Sequence, residues 1–295
     1  MFKPYGIIPP VISPLHEDGS FNESVYRIMI DRLIANGVHG IFPLGTTGEF
    51  YAFTPEQSRR IFEITVDQVA NRVPVYAGAN SITTRGAIEL VKIAQECKVE
   101  AVSVLTPMFI SQTQEELYGF YKTIAANTDL PVIIYNNRPK TNVHIEPKTI
   151  ARLSEIKNIV GVKDSTGDFT NTEEYIRLTR GNDEFGVLLG RDTLIYAGLC
   201  YGAVGAIASC ANVAPRITAD IYDKYIAGDL AGALEAQFTL APLRIATGMG
   251  TFPQVIKEGL ELEGIKVGKC LDPIASLSDE QRETLRCVMQ TMGLL

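Results

Sequence analysis

Short apolar runs rich in valine and isoleucine alternate along most of the chain with longer stretches whose apolar residues recur at helical spacing. The runs fall at Ile7–Ser13, Ile41–Leu44, Val73–Ala77, Ala101–Leu105, Val132–Tyr135, Ile159–Val162, Val187–Leu189 and Ala203–Ala208. They are continuous, not alternating, as strands covered on both faces are. Helix starts punctuate the intervening stretches. Thr54-Pro55-Glu56 sets a capping hydroxyl before a proline at the first helical position, and Thr113 with Glu116 has capping-box spacing. Strands alternating with helices imply right-handed βαβ units and a parallel sheet. Eight units predict an α/β fold, a closed (β/α)8 TIM barrel, with an open doubly wound sheet as the competing arrangement.

After the eighth run the chain reads as helical from about Ile217 almost to its end. Breaks fall near Gly228, at Gly248–Pro253 and at Asp272-Pro273, and Leu277-Ser278-Asp279-Glu280 opens a last capped helix. One helix completes the barrel and the others form a C-terminal helical extension. Residues 1–228 are expected to be the barrel that carries the active site, and 229–295 a helical region packed on it.

Composition narrows the function classes. The chain has 295 residues, 46% of them hydrophobic, enough for a large core. A net charge of −7 and a pI near 5.2 argue against nucleic acid and acidic membranes as partners. No apolar segment approaches transmembrane length, and the start, Met1-Phe2-Lys3-Pro4-Tyr5-Gly6, lacks a signal-peptide core. The five cysteines (Cys97, Cys200, Cys210, Cys270, Cys287) are scattered, which points to free thiols in a reduced, cytoplasmic setting. His16, His39 and His144 make no metal-ligand spacing, so no metal is expected.

Against that background Lys163 stands out, at the end of the apolar run Ile159-Val160-Gly161-Val162-Lys163-Asp164. Strand alternation puts Ile159, Gly161 and Lys163 on one face and Val160, Val162 and Asp164 on the other. A lysine in such a strand either snorkels or pairs with a carboxylate such as Asp164, or is buried as an amine nucleophile. Barrel active sites form where the strands end at their C-termini. The second run ends there in Gly45-Thr46-Thr47-Gly48-Glu49, whose N–H groups and hydroxyls suit a small carboxylate. The fifth ends in Tyr135-Asn136-Asn137-Arg138, bringing a phenol to the same rim. The eighth is made of small residues that leave room for a ligand. Lysine, phenol and carboxylate-binding turn together suit Schiff-base chemistry on a 2-keto acid.

GTTGE at 45–49, YNNRPKT at 135–141 and VGVKDSTGD at 160–168 resemble the dihydrodipicolinate synthase/N-acetylneuraminate lyase family. So do Gly190-Arg191-Asp192 and the run through Ile207-Ala208-Ser209, and the similarity extends from GIIPPVISPL to the last helix. The resemblance implies a (β/α)8 barrel with a C-terminal helical extension, assembled as a homotetramer, a dimer of dimers. It implies a pyruvate-dependent class I aldolase whose only covalent intermediary is a lysine imine, without a cofactor. Lys163 would form the imine, Tyr135 would shuttle protons, and Thr46 would orient the phenol. Thr47, with Gly45 in the same turn, would hold the keto-acid carboxylate, and Ile207 would line the pyruvate pocket. Asp192 matches a position that meets sugar hydroxyls in the lyase branch.

Departures from the synthase branch concern the second substrate. That branch carries a relay tyrosine after the fourth strand, where this chain has Phe109 in Thr106-Pro107-Met108-Phe109. It also places a carboxylate-binding arginine where Lys140 stands, with Arg138 shifted by two positions. A regulatory lysine site would need other residues at Pro55, Ser58 and Thr84. The reading taken from the sequence is cleavage or condensation of a 2-keto-3-deoxy sugar acid, or similar hydroxylated 2-keto acid, to pyruvate plus an aldehyde. The alternatives are 4-hydroxy-tetrahydrodipicolinate synthase, condensing pyruvate with aspartate semialdehyde; an imine-dependent dehydratase or deaminase; and a non-catalytic 2-keto-acid binder.

Overall fold

The computed structural model describes residues 2–295. Seven strands, β1 (Gly6–Ile7), β2 (Tyr76–Gly78), β3 (Ala101–Leu105), β4 (Val132–Asn136), β5 (Ile159–Asp164), β6 (Gly186–Leu189) and β7 (Gly205–Ala206), form one sheet. Its order is β1-β7-β6-β5-β4-β3-β2, with every pairing parallel. The run at Ile41–Leu44 closes the two free edges. Ile41 bridges Val75 and Phe42 bridges Pro10, both in parallel. Tyr76 N–H donates to Ile41 C=O at 2.8 Å, and Phe42 N–H to Pro9 C=O at 3.0 Å. All eight apolar runs are therefore staves of one closed (β/α)8 barrel, and the open sheet is excluded. The second stave forms bridges and not a full ladder because Pro9, Pro10, Pro43 and Pro74 supply no N–H at the seam.

The barrel interior is packed, not open. Ile8, Phe42, Tyr76, Ala101, Ile133, Val160, Leu188 and Ile207 make a separate buried cluster, one side chain from each stave. Phe2 and Val204 pack against it. A larger cluster, with Val102, Val104, Ile134 and Val162 from the strands, fills the space between barrel and helices.

One detail departs from the alternation expected for β5. Val132 pairs with Ile159, but Ile133 pairs with Gly161, so Val160 is an extra residue in a bulge. Val160 consequently joins the interior cluster, while Ile159 and Val162 belong to the outer one. Lys163 keeps its register with Tyr135 on β4 and Leu188 on β6.

The anticipated helix starts are present. Thr54 and Gln57 form a capping box at Pro55–Val69, as do Thr113 and Glu116 at Gln114–Ala125 and Ser278 and Gln281 at Asp279–Thr291. Beyond the barrel run helices Pro215–Ile226, Leu230–Ala246, Gln254–Leu262 and Asp279–Thr291. The stretch 263–278 is not helical, a wider gap than the break expected at Asp272-Pro273. Its backbone is held by side chains instead: Gln254 Oε1 accepts from Cys270 N–H at 2.9 Å, and Glu261 Oε1 from Gly268 N–H at 2.9 Å. Among the described residues no helix is long and apolar enough to cross a membrane.

Candidate active site

At the C-terminal end of the strands lies a cavity of about 660 Å³. Lys163 reaches it from β5, and Tyr135 from the adjacent position of β4. Lys163 is only 4% exposed, which excludes snorkelling. Asp164 does not pair with it. That carboxylate faces the helix side and accepts from Thr172 Oγ1 at 2.7 Å, Asn171 Nδ2 at 3.0 Å and Thr166 N–H at 3.1 Å. Instead the Lys163 ammonium nitrogen sits 3.9 Å from the centroid of the Tyr135 ring and 5.4 Å from that of Phe42. The Tyr135 hydroxyl is 3.2 Å from Thr46 Oγ1 and accepts from Asn137 Nδ2 at 2.8 Å.

These neighbours set the protonation behaviour. Burial pushes Lys163 below the ordinary lysine range, opposed by Tyr135 and Asp192. Burial alone would raise the Tyr135 phenol. The Lys163 charge and the polar groups of Thr46, Ser165 and Asn137 outweigh it and hold the phenol below its usual value. Amine and phenol are thus both held below their ordinary values, the amine by burial and the phenol by the Lys163 charge and the polar groups around it. Tyr135→Phe removes the hydroxyl and little else. Turnover should fall by roughly 10²- to 10⁴-fold, the range for losing a positioned acid/base. Unchanged steady-state turnover in this variant would remove the phenol from the chemistry.

The turn carrying Thr46 and Thr47 is held from several sides. Gly45 C=O accepts from Gly48 N–H at 3.1 Å and from Phe50 N–H at 3.3 Å, closing the loop. Ser13 Oγ donates to Gly48 C=O at 2.8 Å, and Asn80 Nδ2 to Leu44 C=O at 3.1 Å. A side chain at Gly48 would come within 2.8 Å of Val11 C=O, so the approach requires glycine. Beneath the turn, Glu49 is buried against Lys257 at 2.6 Å, and its other oxygen accepts from Leu271 N–H at 3.2 Å. Lys257 also donates to Lys269 C=O at 2.9 Å.

Of the residues singled out from the sequence, Lys163, Tyr135, Thr46, Thr47, Ile207 and Lys140 line the cavity. Three do not. Gly45 lies under the turn, where its missing side chain makes room for Phe42. Arg138 opens the short helix Arg138–Thr141 and points to solvent, since Pro139 at the second position turns the chain away. Asp192 is buried and fully committed: Oδ1 accepts from Cys210 N–H at 2.8 Å, while Oδ2 accepts from Ser209 Oγ at 3.3 Å and lies 3.4 Å from Arg244 Nε. It ties loops together and presents no free carboxylate to a ligand.

Sequence reasoning missed Asn137, Ser165, Arg191 and Arg244, all on the cavity wall, and the Glu49–Lys257 pair below it. Asn137 and Ser165 stand two residues beyond Tyr135 and Lys163, a strand-end position that could have flagged them. Arg244 gives no local signal, because it comes from helix Leu230–Ala246 in the C-terminal extension. That segment supplies part of the cavity wall, including Thr247, Thr251 and Phe252.

The dihydrodipicolinate synthetase family model matches residues 3–292. The 4-hydroxy-tetrahydrodipicolinate synthase of Syntrophus aciditrophicus is 38% identical over 295 residues, with all of both chains covered. The dihydrodipicolinate synthase structure from Thermotoga maritima superposes with a TM-score of 0.96 at 31% identity, covering 99% of each chain. YagE of E. coli K12, a prophage protein of the dihydrodipicolinic acid synthase family solved in complex with pyruvate, gives 0.95 at 30% identity, again covering 99% of each.

Proposed function

The chain belongs to the dihydrodipicolinate synthetase family and is a carbon–carbon lyase, and on that premise we propose that it condenses pyruvate with aspartate semialdehyde, as a 4-hydroxy-tetrahydrodipicolinate synthase does. The observation that carries this reading is a buried Lys163, without a carboxylate partner, stacked on a phenol that is itself oriented by Thr46 and Asn137. Relatives with that name at 35–38% identity over the whole chain support the choice of aldehyde. The sugar-acid lyase first favoured from the sequence becomes the second reading.

The geometry suits the following steps. Neutral Lys163 Nζ attacks the pyruvate carbonyl carbon, and the carbinolamine oxygen leaves as water with a proton from Tyr135. Thr47 and the turn N–H groups hold the carboxylate. The imine draws electrons from the methyl carbon, whose proton passes to the Tyr135 phenolate, which leaves an enamine and restores the phenol. The enamine carbon then bonds to the aldehyde carbon, whose oxygen takes a proton from Tyr135. The amine of the semialdehyde attacks the imine carbon, releases Lys163 and closes the ring. No cofactor enters this scheme.

Phe109 favours the second reading, cleavage of a 2-keto-3-deoxy sugar acid. It carries no hydroxyl, is 88% exposed, and lies off the cavity at a φ of 79°. An aromatic ring held outward in that conformation suits a contact with a second copy, consistent with a dimer of dimers. The five free cysteines fit a cytoplasmic setting.

Borohydride reduction in the presence of pyruvate should add one pyruvyl unit at Lys163, read by peptide mass, and aspartate semialdehyde should be consumed with pyruvate. Trapping without semialdehyde consumption, alongside pyruvate release from a 2-keto-3-deoxy sugar acid, would replace synthase by lyase. No trapping would sink both.

A further inference from the structure

The cavity is larger than a three-carbon acid needs, and its charge is one-sided. Lys140, Lys163, Arg191 and Arg244 line it, and no aspartate or glutamate does, although the chain as a whole carries a net charge of −7. Lys163 is accounted for by the imine. The two arginines are not. Arg191 follows β6 and is exposed on the cavity wall, and among the described residues its guanidinium makes no ion pair or hydrogen bond to the protein, which leaves it open to a ligand. It lies against Gly167, where a side chain would come within 3.0 Å of its Nε, at a φ of 80° that also favours glycine. Arg244 comes from the C-terminal extension. Its Nε is buried and ion-paired with Asp192 Oδ2 at 3.4 Å without a hydrogen bond, and one of its terminal nitrogens donates to Thr247 Oγ1, so the guanidinium is only partly used by the protein.

Partial burial, and after it the neighbouring Arg244 charge, hold Arg191 below the ordinary arginine range, with Asp192 the opposing carboxylate, so the two guanidinium groups and Lys140 form a cationic wall. An unpaired buried donor costs free energy unless something fills it. A planar carboxylate offers the acceptors a guanidinium fork requires, and lysine at position 140 does not provide that fork.

We propose that Arg191 and Arg244 together bind a carboxylate on the aldehyde substrate, making this wall, and not the loop after β4, the main selector for acidic aldehydes. The inference rests on the pyruvate-imine reading above. In that reaction the anchor holds the far end of the aldehyde while its carbonyl carbon meets the enamine.

The test begins with wild-type trapping of pyruvate by borohydride. Turnover with pyruvate is then compared for aspartate semialdehyde, succinic semialdehyde and butanal, the last matching the chain length without a carboxylate. In Arg191→Gln, kcat/KM for both acidic aldehydes should fall at least about tenfold, mainly through KM, and the acidic-over-neutral preference should shrink by the same factor. Arg191→Lys should recover only part of it. Arg244→Lys should move the ratio in the same direction. Equal losses for butanal and the acids, or an unchanged ratio, would overturn the arginine site while trapping still stands. Absence of trapping in the wild type overturns the imine reading, and the anchor with it.

Discussion

Lys163→Ala should lower turnover by roughly 10⁴- to 10⁶-fold, the scale on which an enzyme loses its covalent nucleophile. The same change should abolish the borohydride adduct. The size follows from the environment. Lys140, the other amine on the cavity wall, is exposed on the short helix after β4 and is not packed on Tyr135. Without an imine, the pyruvate methyl must lose its proton to give a bare enolate, and the electron sink is gone. Burial strengthens the argument at neutral pH. An ordinary lysine at 10.5 is almost wholly protonated there, whereas burial moves Lys163 downward and enlarges the neutral, nucleophilic fraction. Imine formation should therefore slow as pH falls through the depressed Lys163 value, and transient kinetics of adduct formation would show this. Folding should be little affected, because removing the ammonium relieves a desolvated charge. An adduct that persists on another lysine in Lys163→Ala would refute the assignment.

Lys257→Met should destabilise the fold by about 3–5 kcal/mol, the cost of leaving a buried charge without its partner. Lys257 and Glu49 are 0% and 1% exposed and meet at 2.6 Å. Removing the ammonium leaves the Glu49 carboxylate with Leu271 N–H as its remaining donor. The paired variant Glu49→Gln/Lys257→Met should recover much of the loss, since replacing both members removes the uncompensated charge. Urea unfolding of the single and double variants measures both. A loss under about 1 kcal/mol for the single variant would mean that water or a rearranged loop satisfies Glu49. The single variant should also raise KM for pyruvate, because Glu49 supports the turn that bears Thr46 and Thr47.

The barrel was legible because its staves are continuous apolar runs of strand length, and because proline and hydroxyl caps mark the helices between them. The gathering of four candidate residues in one cavity was legible for a related reason. Lys163, Tyr135, Thr46 and Thr47 each stand at a strand end, so the topology gathers them without knowledge of any loop. What stayed hidden depended on distance in sequence. Val160 as a bulge cannot be told from a regular position in Val-Gly-Val, since inner and outer faces are both apolar. Asp192 resembled a ligand-binding carboxylate until Cys210, Ser209 and Arg244 were seen to use its oxygens. Arg244 sits near the end of a largely apolar helix, where its neighbours in sequence say nothing of the cavity. The non-helical 263–278 stretch is wider than the sequence suggests because its backbone partners, Gln254 and Glu261, act through side chains.

The Glu49 link has a consequence in time. Residues 45–49 leave the ribosome early, yet Lys257 and Leu271 follow more than two hundred positions later, with 222 separating Glu49 from Leu271. A nascent chain with every stave translated still holds an acid under its substrate turn with no counter-charge. The turn gains its support only when the last part of the chain arrives, so a stalled or truncated product leaves Glu49 uncompensated beneath Thr46 and Thr47.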